Sequence, residues 1–90
     1  MPSHFCPTST VHSRRFDDDL VVLHLGAGMY YSLDAVGTTI WETLAAGRTT
    51  EEAVTAVVAA YDVDESTARA DTVRLVQELL AAGLIEATSR

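Results

Sequence analysis

The stretch LVVLHLGAGMYYSLD, residues 20 to 34, decides the fold that we expect for this chain. Its first six residues are apolar apart from one histidine, and they end at Gly26-Ala27-Gly28, where two glycines permit the positive φ of a tight reversal. A second apolar run then covers Met29 to Leu33. The stretch therefore predicts a β-hairpin whose tip is formed by residues 26 to 28.

The residues before the hairpin give a weaker pattern. Residues 1 to 9 contain two prolines and several Ser and Thr without periodicity, which predicts a flexible lead-in. A first short strand is expected at residues 10 to 15, and Asp17-Asp18-Asp19 then forms a turn or the entry to the next strand. We place a single domain at residues 10 to 87, because a chain of 90 residues buries only one modest core.

Two helices are predicted directly after the hairpin. Asp34 is a suitable N-cap for the first helix, which should end near Gly47. Thr49 and Glu52 stand three residues apart, as the partners of a capping box do, and they predict the start of the second helix. The apolar residues at helical spacing are Val36, Ile40, Trp41 and Leu44 in the first helix and Ala53, Val54, Val57, Val58 and Tyr61 in the second.

A third helix is predicted for about residues 65 to 82. Asp62-Val63-Asp64 interrupts the preceding pattern and caps this helix, which Gly83 closes, with Leu84 placed to contact Leu79. The order of elements predicts an α+β, winged-helix-like fold, in which a small antiparallel three-stranded sheet packs on three α-helices.

The third helix and the second strand of the hairpin are the most informative surfaces. The helix carries an apolar arc of roughly 160°, whereas an arc of about 100° is enough for a helix to cover the core of a small domain. One flank of the arc therefore either lines a groove or is buried against the sheet. The strand Met29 to Leu33 contains no Lys, no Pro and no charge, and its edge is therefore open to an added strand. The apolar side of the helix consists of Ala68, Thr72, Val73, Leu75, Val76, Leu79, Leu80 and Ala82.

The charge of the chain argues against nucleic acid as a partner. Thirteen acidic residues outnumber six basic ones, all of them arginine, and the formal net charge is -7. In the predicted third helix Arg69 and Arg74 are outnumbered by three acidic residues, although phosphate contacts would need basic residues there. A winged-helix DNA-binding regulator fits the order of elements and is kept as an alternative function, but this charge disfavours it.

Residues able to perform chemistry are few and scattered. Cys6, His12 and His24 come nearest to a nucleophile set, but Cys6 lies beside Pro7 in the expected lead-in, where no rigid structure holds a base near it. We expect no catalytic residue, no metal and no cofactor. A small hydrolase or redox protein that uses Cys6, and a homodimer that pairs its open strand with itself, are further alternatives.

The expected location is the cytoplasm. No apolar run reaches the ~20 residues of a membrane span, and the first ten residues lack the layout of a secretory signal. The single cysteine fits a reducing compartment, because it has no partner for an internal disulfide.

A series of short motifs runs through the chain in a recognisable order. They are Tyr31-Ser32-Leu33-Asp34, Gly37, Ile40-Trp41-Glu42-Thr43-Leu44, Gly47-Arg48-Thr49, Asp71, Leu75, Leu79 and Gly83-Leu84-Ile85. Together they resemble the PqqD-like family, in which a hairpin ending in Leu-Asn is followed by a Gly and an Ile-Trp helix, a Gly-x-Thr cap and a last helix closed by Gly-Leu. The resemblance covers residues 18 to 86. Asp34 replaces the usual Asn and is an equally good N-cap.

The resemblance implies a recognition element for ribosomally synthesised, modified peptides. Such an element binds the leader of a precursor peptide as an added strand, without catalysis. A stand-alone chain of this size is most similar to the leader-binding half of split lasso-peptide B proteins, which work beside a separate transglutaminase-like Cys protease and a cyclase. Stand-alone relatives also act as chaperones for radical-SAM peptide-modifying enzymes. The implied peptide-binding residues are Met29, Tyr30, Tyr31, Ser32 and Leu33 on the strand and Thr72, Leu75, Val76 and Leu79 on the helix.

Overall fold

The computed structural model of this chain describes residues 4–17 and 19–88. Residues 1–3 of the expected lead-in and Asp18 of the expected acidic turn lie outside the described residues. The described elements are β1 (Phe5–Pro7), β2 (Val11–Phe16), β3 (Asp19–His24), β4 (Met29–Leu33), α1 (Ala35–Ala45), α2 (Thr50–Ala60), α3 (Glu65–Ala81) and β5 (Ile85–Ala87). None of these three helices is long and apolar enough to cross a membrane.

The predicted hairpin is formed by β3 and β4, which pair antiparallel from Leu20 opposite Leu33 to His24 opposite Met29. Gly28, in the connection between them, has a φ of 66°, which glycine adopts without steric cost. β2 pairs with the other side of β3, so the sheet has the order β2-β3-β4. The predicted α+β fold, with a three-stranded antiparallel sheet and three helices, is confirmed.

The amino-terminal segment departs from the sequence-based prediction. β1 pairs antiparallel with β5, with Phe5 opposite Ala87 and Pro7 opposite Ile85, and the Phe5 side chain is only 2% exposed. Residues 5 to 7, which were expected to belong to a flexible lead-in, therefore form a strand, and Ile85–Ala87 form its partner. These two segments are too short to show a periodic pattern, and nothing local in the sequence reveals a pairing between the two ends of a chain.

The helices begin at the N-caps that the sequence predicted. Asp34 and Asp64 each accept a hydrogen bond from the backbone N–H of the third helical residue, at 2.8 Å. Thr49 and Glu52 form both halves of the capping box at the start of α2. These bonds satisfy N–H groups that a helix start otherwise leaves without a partner, so the chain direction is fixed at each helix entry.

α3 ends in the predicted Schellman motif. The Gly83 N–H donates to the carbonyl of Leu80 at 3.1 Å, and the Leu84 N–H donates to the carbonyl of Leu79 at 2.9 Å. Gly83 has a φ of 74°, as this helix end requires. The motif turns the chain directly from α3 into β5.

The core lies between the inner face of the three-stranded sheet and the helices, and α1 packs against β3, β4, α2 and α3. α3 contributes one buried stripe to this core, so a neighbouring stripe of the same helix is left facing β4. The buried hydrophobic residues are Phe5, Leu20, Val22, Leu33, Ile40, Trp41, Leu44, Ala53, Val54, Val57, Ala68, Val76, Leu79, Leu84 and Ile85.

Candidate functional site

A groove with a volume of about 430 Å³ lies between β4 and α3. The first turns of α1 contribute to its lining, and because α1 packs against both β4 and α3, it sets the spacing of the two walls. The lining residues are Asp19, Tyr31, Ser32, Leu33, Asp34, Val36, Gly37, Ile40, Asp71, Arg74, Leu75 and Glu78.

The first wall of the groove is an edge strand. Among the described residues β4 pairs with β3 on one side only, so the backbone N–H and C=O groups of its other side are not used by the sheet. β4 carries no charged side chain and no proline, whereas the opposite edge, β2, carries Arg14 and Arg15. Since charges and prolines are the usual protection of an edge against pairing, β4 is the edge better suited to accept another strand.

The second wall is a stripe of α3 next to its buried stripe. Asp71, Arg74, Leu75 and Glu78 are spaced i, i+3, i+4 and i+7, which places them on one side of the helix. Leu75 is partly buried against the core, and it is the apolar residue of this wall. The helix therefore presents one apolar contact surrounded by charged side chains.

The sequence-predicted helix residues are only partly at the groove. Leu75 lines it, but Thr72, Val76 and Leu79 are at most 1% exposed and belong to the core. Contact of these three residues with a peptide stays a prediction, and their burial means that a peptide could reach their side chains only if the core opened. Helical periodicity located the apolar arc, but it did not tell which flank of the arc faces the sheet.

The sequence-predicted strand residues differ in their position relative to the groove. Tyr31 and Leu33 pair with the buried Val22 and Leu20 of β3 and share their inner face. Tyr31, Ser32 and Leu33 line the groove, whereas Met29 and Tyr30 do not. Met29 and Tyr30 are 53% and 71% exposed, so they contribute accessible surface beside the groove.

A hydrogen bond joins the two walls. The Tyr31 hydroxyl donates to the Glu78 carboxylate, at 2.5 Å between Oη and Oε1. This bond, helped by partial burial, raises the pKa of the Tyr31 hydroxyl above its ordinary value. It fixes the Tyr31 ring between strand and helix and holds the Glu78 carboxylate at the groove.

Several groove residues were not predicted from the sequence. Val36 and Ile40 were recognised as the apolar stripe of α1 and Asp71, Arg74 and Glu78 as charges of α3, and Ile40 and Asp71 also as positions of the family motifs, but none was assigned to a binding site. The sequence signal that could have assigned Asp71, Arg74 and Glu78 to the groove is their spacing around Leu75 on one side of the helix. Gly37 marks a close approach of α1 to β4, because a Cβ at this position would lie 3.3 Å from the Leu33 Cβ.

The residues considered for catalysis do not form a cluster. Cys6 lies in β1, opposite Glu86 of β5, whereas His12 and His24 lie in the other sheet, in β2 and β3. His24 Nδ1 accepts the backbone N–H of Ala27 at 3.2 Å, within the hairpin connection. In residues 4–17 and 19–88 no three His, Cys, Asp or Glu side chains lie close enough together to hold a metal ion.

Comparisons with known proteins point to one family. The family described as Coenzyme PQQ synthesis protein D (PqqD) matches residues 19–85. A solved structure of TbiB1 in complex with the TbiA(beta) leader peptide is 38% identical, with a TM-score of 0.85, and the match covers 94% of this chain and 99% of that chain. A lasso peptide synthetase B1 complexed with the leader peptide shares the fold at 21% identity, with a TM-score of 0.85 and coverage of 93% and 99%. No curated protein matches significantly.

Proposed function

This chain belongs to the PqqD family, and from that premise we propose that it captures the leader peptide of a ribosomally synthesised precursor in a cytoplasmic lasso-peptide pathway. The leader adds as a strand to β4 and inserts side chains toward α3. One observation carries the proposal: β4 has an unpaired edge that faces α3 across the groove. A 38% identical neighbour with the same fold was solved with a leader peptide bound, which supports this assignment.

The chemistry of the groove suits an extended peptide. Backbone hydrogen bonds to β4 contribute about 0.5–1.5 kcal/mol each in net terms, so a short strand alone does not reach the roughly 8 kcal/mol of micromolar binding. Side-chain burial must supply the rest. Val36 and Leu75 are both partly buried apolar residues of the groove, and they are the surfaces that a leader side chain would cover.

We further propose that this chain has no catalytic role and delivers the leader to partner enzymes. The partners would be a separate transglutaminase-like Cys protease and a cyclase. Cys6 supports the non-catalytic assignment, because it lies in the sheet of β1 and β5, apart from the sheet that holds His12 and His24. An activated nucleophile needs a base held within hydrogen-bond reach.

The charge of α3 does not favour DNA recognition. Arg69 pairs with Glu51 and Glu65, and Arg74 lies 3.5 Å from Asp71, so each arginine of this helix has an acidic neighbour that opposes the approach of a phosphate. A helix that reads DNA needs cations free to contact phosphates. For this reason we place the leader-binding function ahead of the winged-helix regulator.

The test is a titration of this chain against fluorescein-labelled TbiA(beta) leader peptide and, in parallel, against leader segments of short precursors encoded next to its gene. Leu75→Asp puts a charge on the apolar wall and should weaken binding by at least ~2 kcal/mol. Val73→Asp is the matched control, because Val73 lies on α3 outside the groove and is 38% exposed.

The outcomes of this titration are distinct. Saturable binding that Leu75→Asp weakens and Val73→Asp leaves within about twofold would support the groove. Ser32→Pro adds a backbone probe, since it removes one N–H from β4. Circular dichroism must show that the variants are folded. Folded Leu75→Asp and Ser32→Pro variants with wild-type affinity, or no saturable binding of any leader, would contradict the proposal.

A further inference from the structure

The groove between β4 and α3 has an unequal distribution of charge. Its lining includes four acidic residues, Asp19, Asp34, Asp71 and Glu78, and one basic residue, Arg74. The remaining lining residues are uncharged. A peptide that enters this groove is therefore surrounded mainly by negative charge, within a chain whose net charge is already -7.

The single arginine does not neutralise the groove. Its Nη2 lies 3.5 Å from the Asp71 carboxylate, and its side chain is 70% exposed. Such an exposed pair is weak and is screened by solvent, so Asp71 keeps most of its charge, and one guanidinium does not offset four acidic residues. Asp34 is engaged differently, because its carboxylate accepts the backbone N–H of Gly37 as the N-cap of α1.

Glu78 is the carboxylate that the structure positions at the groove. Tyr31, on the opposite wall, donates its hydroxyl hydrogen to Glu78 Oε1. A carboxylate held in one place gives more to a charge-assisted contact than a freely rotating one, because less side-chain entropy is lost when the contact forms. An added strand on β4 would run beside this hydrogen bond.

Two acidic residues of α3, Asp71 and Glu78, line the groove opposite the strand. Asp71 and Glu78 are seven residues apart, which corresponds to about 10 Å along the helix. The five residues of β4 span roughly 15 Å. A cationic side chain that faces α3 from a peptide in this groove therefore has two acidic side chains, Asp71 and Glu78, as possible partners.

From this arrangement we propose that the groove selects leader segments that carry a lysine or arginine among their apolar residues, on the side facing α3. The inference rests on the proposed leader-binding function and adds the class of peptide that is preferred. Apolar contacts with Leu75 and Val36 hold the segment, and the acidic wall discriminates between leaders of different charge. An acidic side chain at the same peptide position is repelled.

The test begins with a display library of random twelve-residue peptides panned against the wild-type chain. The best groove binder, recognised because Leu75→Asp abolishes its binding, is then synthesised with Lys, Gln or Glu at its basic position. Each peptide is titrated against wild type, Asp71→Asn, Glu78→Gln and the control Asp62→Asn. Asp62 is an exposed acid outside the groove lining, so its variant changes the net charge equally.

The expected result is that wild type binds the Lys peptide about tenfold more tightly than the Glu peptide, which corresponds to roughly 1.4 kcal/mol. Asp71→Asn or Glu78→Gln should reduce this ratio at least threefold, and Asp62→Asn should leave it unchanged. Raising the salt concentration from 0.05 to 0.5 M should also reduce it, because exposed charges are screened.

Two results would overturn the inference in different ways. Groove binders that are enriched without Lys or Arg, or that bind equally with Lys and Glu, would remove the charge preference and leave leader binding intact. A library that yields no binder sensitive to Leu75→Asp would overturn the proposed function and the charge preference together.

Discussion

At the scale of single residues, the neighbours Leu75 and Val76 show what determines a contact surface. Both belong to the apolar arc of α3, but Val76 is 1% exposed in the core and Leu75 lines the groove. Helical periodicity identifies such an arc, because it depends only on local geometry. Which flank is covered depends on how the helix is rotated against the sheet, and that rotation results from packing between residues distant in sequence. Of the two residues that the sequence suggested for the groove wall, Leu75 therefore lines the groove and Val76 lies in the core.

Alanine substitutions at these two positions should separate binding from stability. Val76→Ala leaves a cavity in the core and should lower the free energy of unfolding by about 2 kcal/mol, with leader affinity of the folded protein within twofold of wild type. Leu75→Ala should weaken leader binding by about 1–2 kcal/mol. Urea denaturation and peptide titration of both variants provide the measurement. A Val76→Ala variant that is as stable as wild type but binds poorly would reverse this assignment.

Among the secondary-structure elements, features that depend on residues close in sequence could be predicted, whereas a pairing between segments distant in sequence could not. The N-caps at Asp34, Thr49 and Asp64 and the Schellman end of α3 involve residues within a few positions of each other, and all were predicted from the sequence. The pairing of β1 with β5 joins the two ends of the chain and was missed. The β4 edge was predicted because its lack of charge and proline is a local property, although its facing wall was not fully identified.

Phe5 tests whether β1 is a structural part of the domain. Its side chain is buried in the core, so Phe5→Ala should lower the free energy of unfolding by about 3–5 kcal/mol. Ser9→Ala, at an exposed position after β1, is the control and should have little effect. The urea midpoints of the two variants give the comparison. Equal midpoints would mean that the amino-terminal segment is dispensable, as the sequence had suggested.

The caps also predict how stability depends on pH. The pKa of Glu52 is lowered, chiefly because its carboxylate accepts the backbone N–H of Thr49 and also because Arg48 is near. A lowered pKa means that the folded state prefers the charged form, so the stabilisation is present above the ordinary glutamate value of about 4.3 and is lost as the pH falls through the lowered value. The pKa values of Glu51, beside Arg69, and of Asp64, which caps α3, are lowered as well.

Glu52→Gln should therefore reduce the melting temperature at pH 7 and make its decrease between pH 6 and pH 3 smaller than in wild type. Thr49→Ala removes the hydroxyl partner but keeps the Glu52 carboxylate, so it should lower the melting temperature at pH 7 and retain the decrease on acidification. Thermal unfolding followed by circular dichroism at several pH values measures both. An acid dependence of Glu52→Gln equal to that of wild type would show that this carboxylate does not contribute to it.

For the whole molecule, the β2-β3-β4 sheet has two different outer strands, and the groove described above lies beside β4. Both outer strands of the β2-β3-β4 sheet have an unpaired side, but the β2 edge carries Arg14 and Arg15, whereas β4 is uncharged and faces α3. The central claim is that a leader pairs with β4. The other edge of the same sheet is therefore an internal control for any measurement of backbone protection.

Amide hydrogen–deuterium exchange with and without saturating TbiA(beta) leader peptide tests this claim most directly, because hydrogen bonding to an added strand slows the exchange of edge amides. We expect new protection within Met29–Leu33 and no change within Val11–Phe16. New protection at Val11–Phe16, or unchanged exchange at Met29–Leu33 while the peptide is bound, would contradict it.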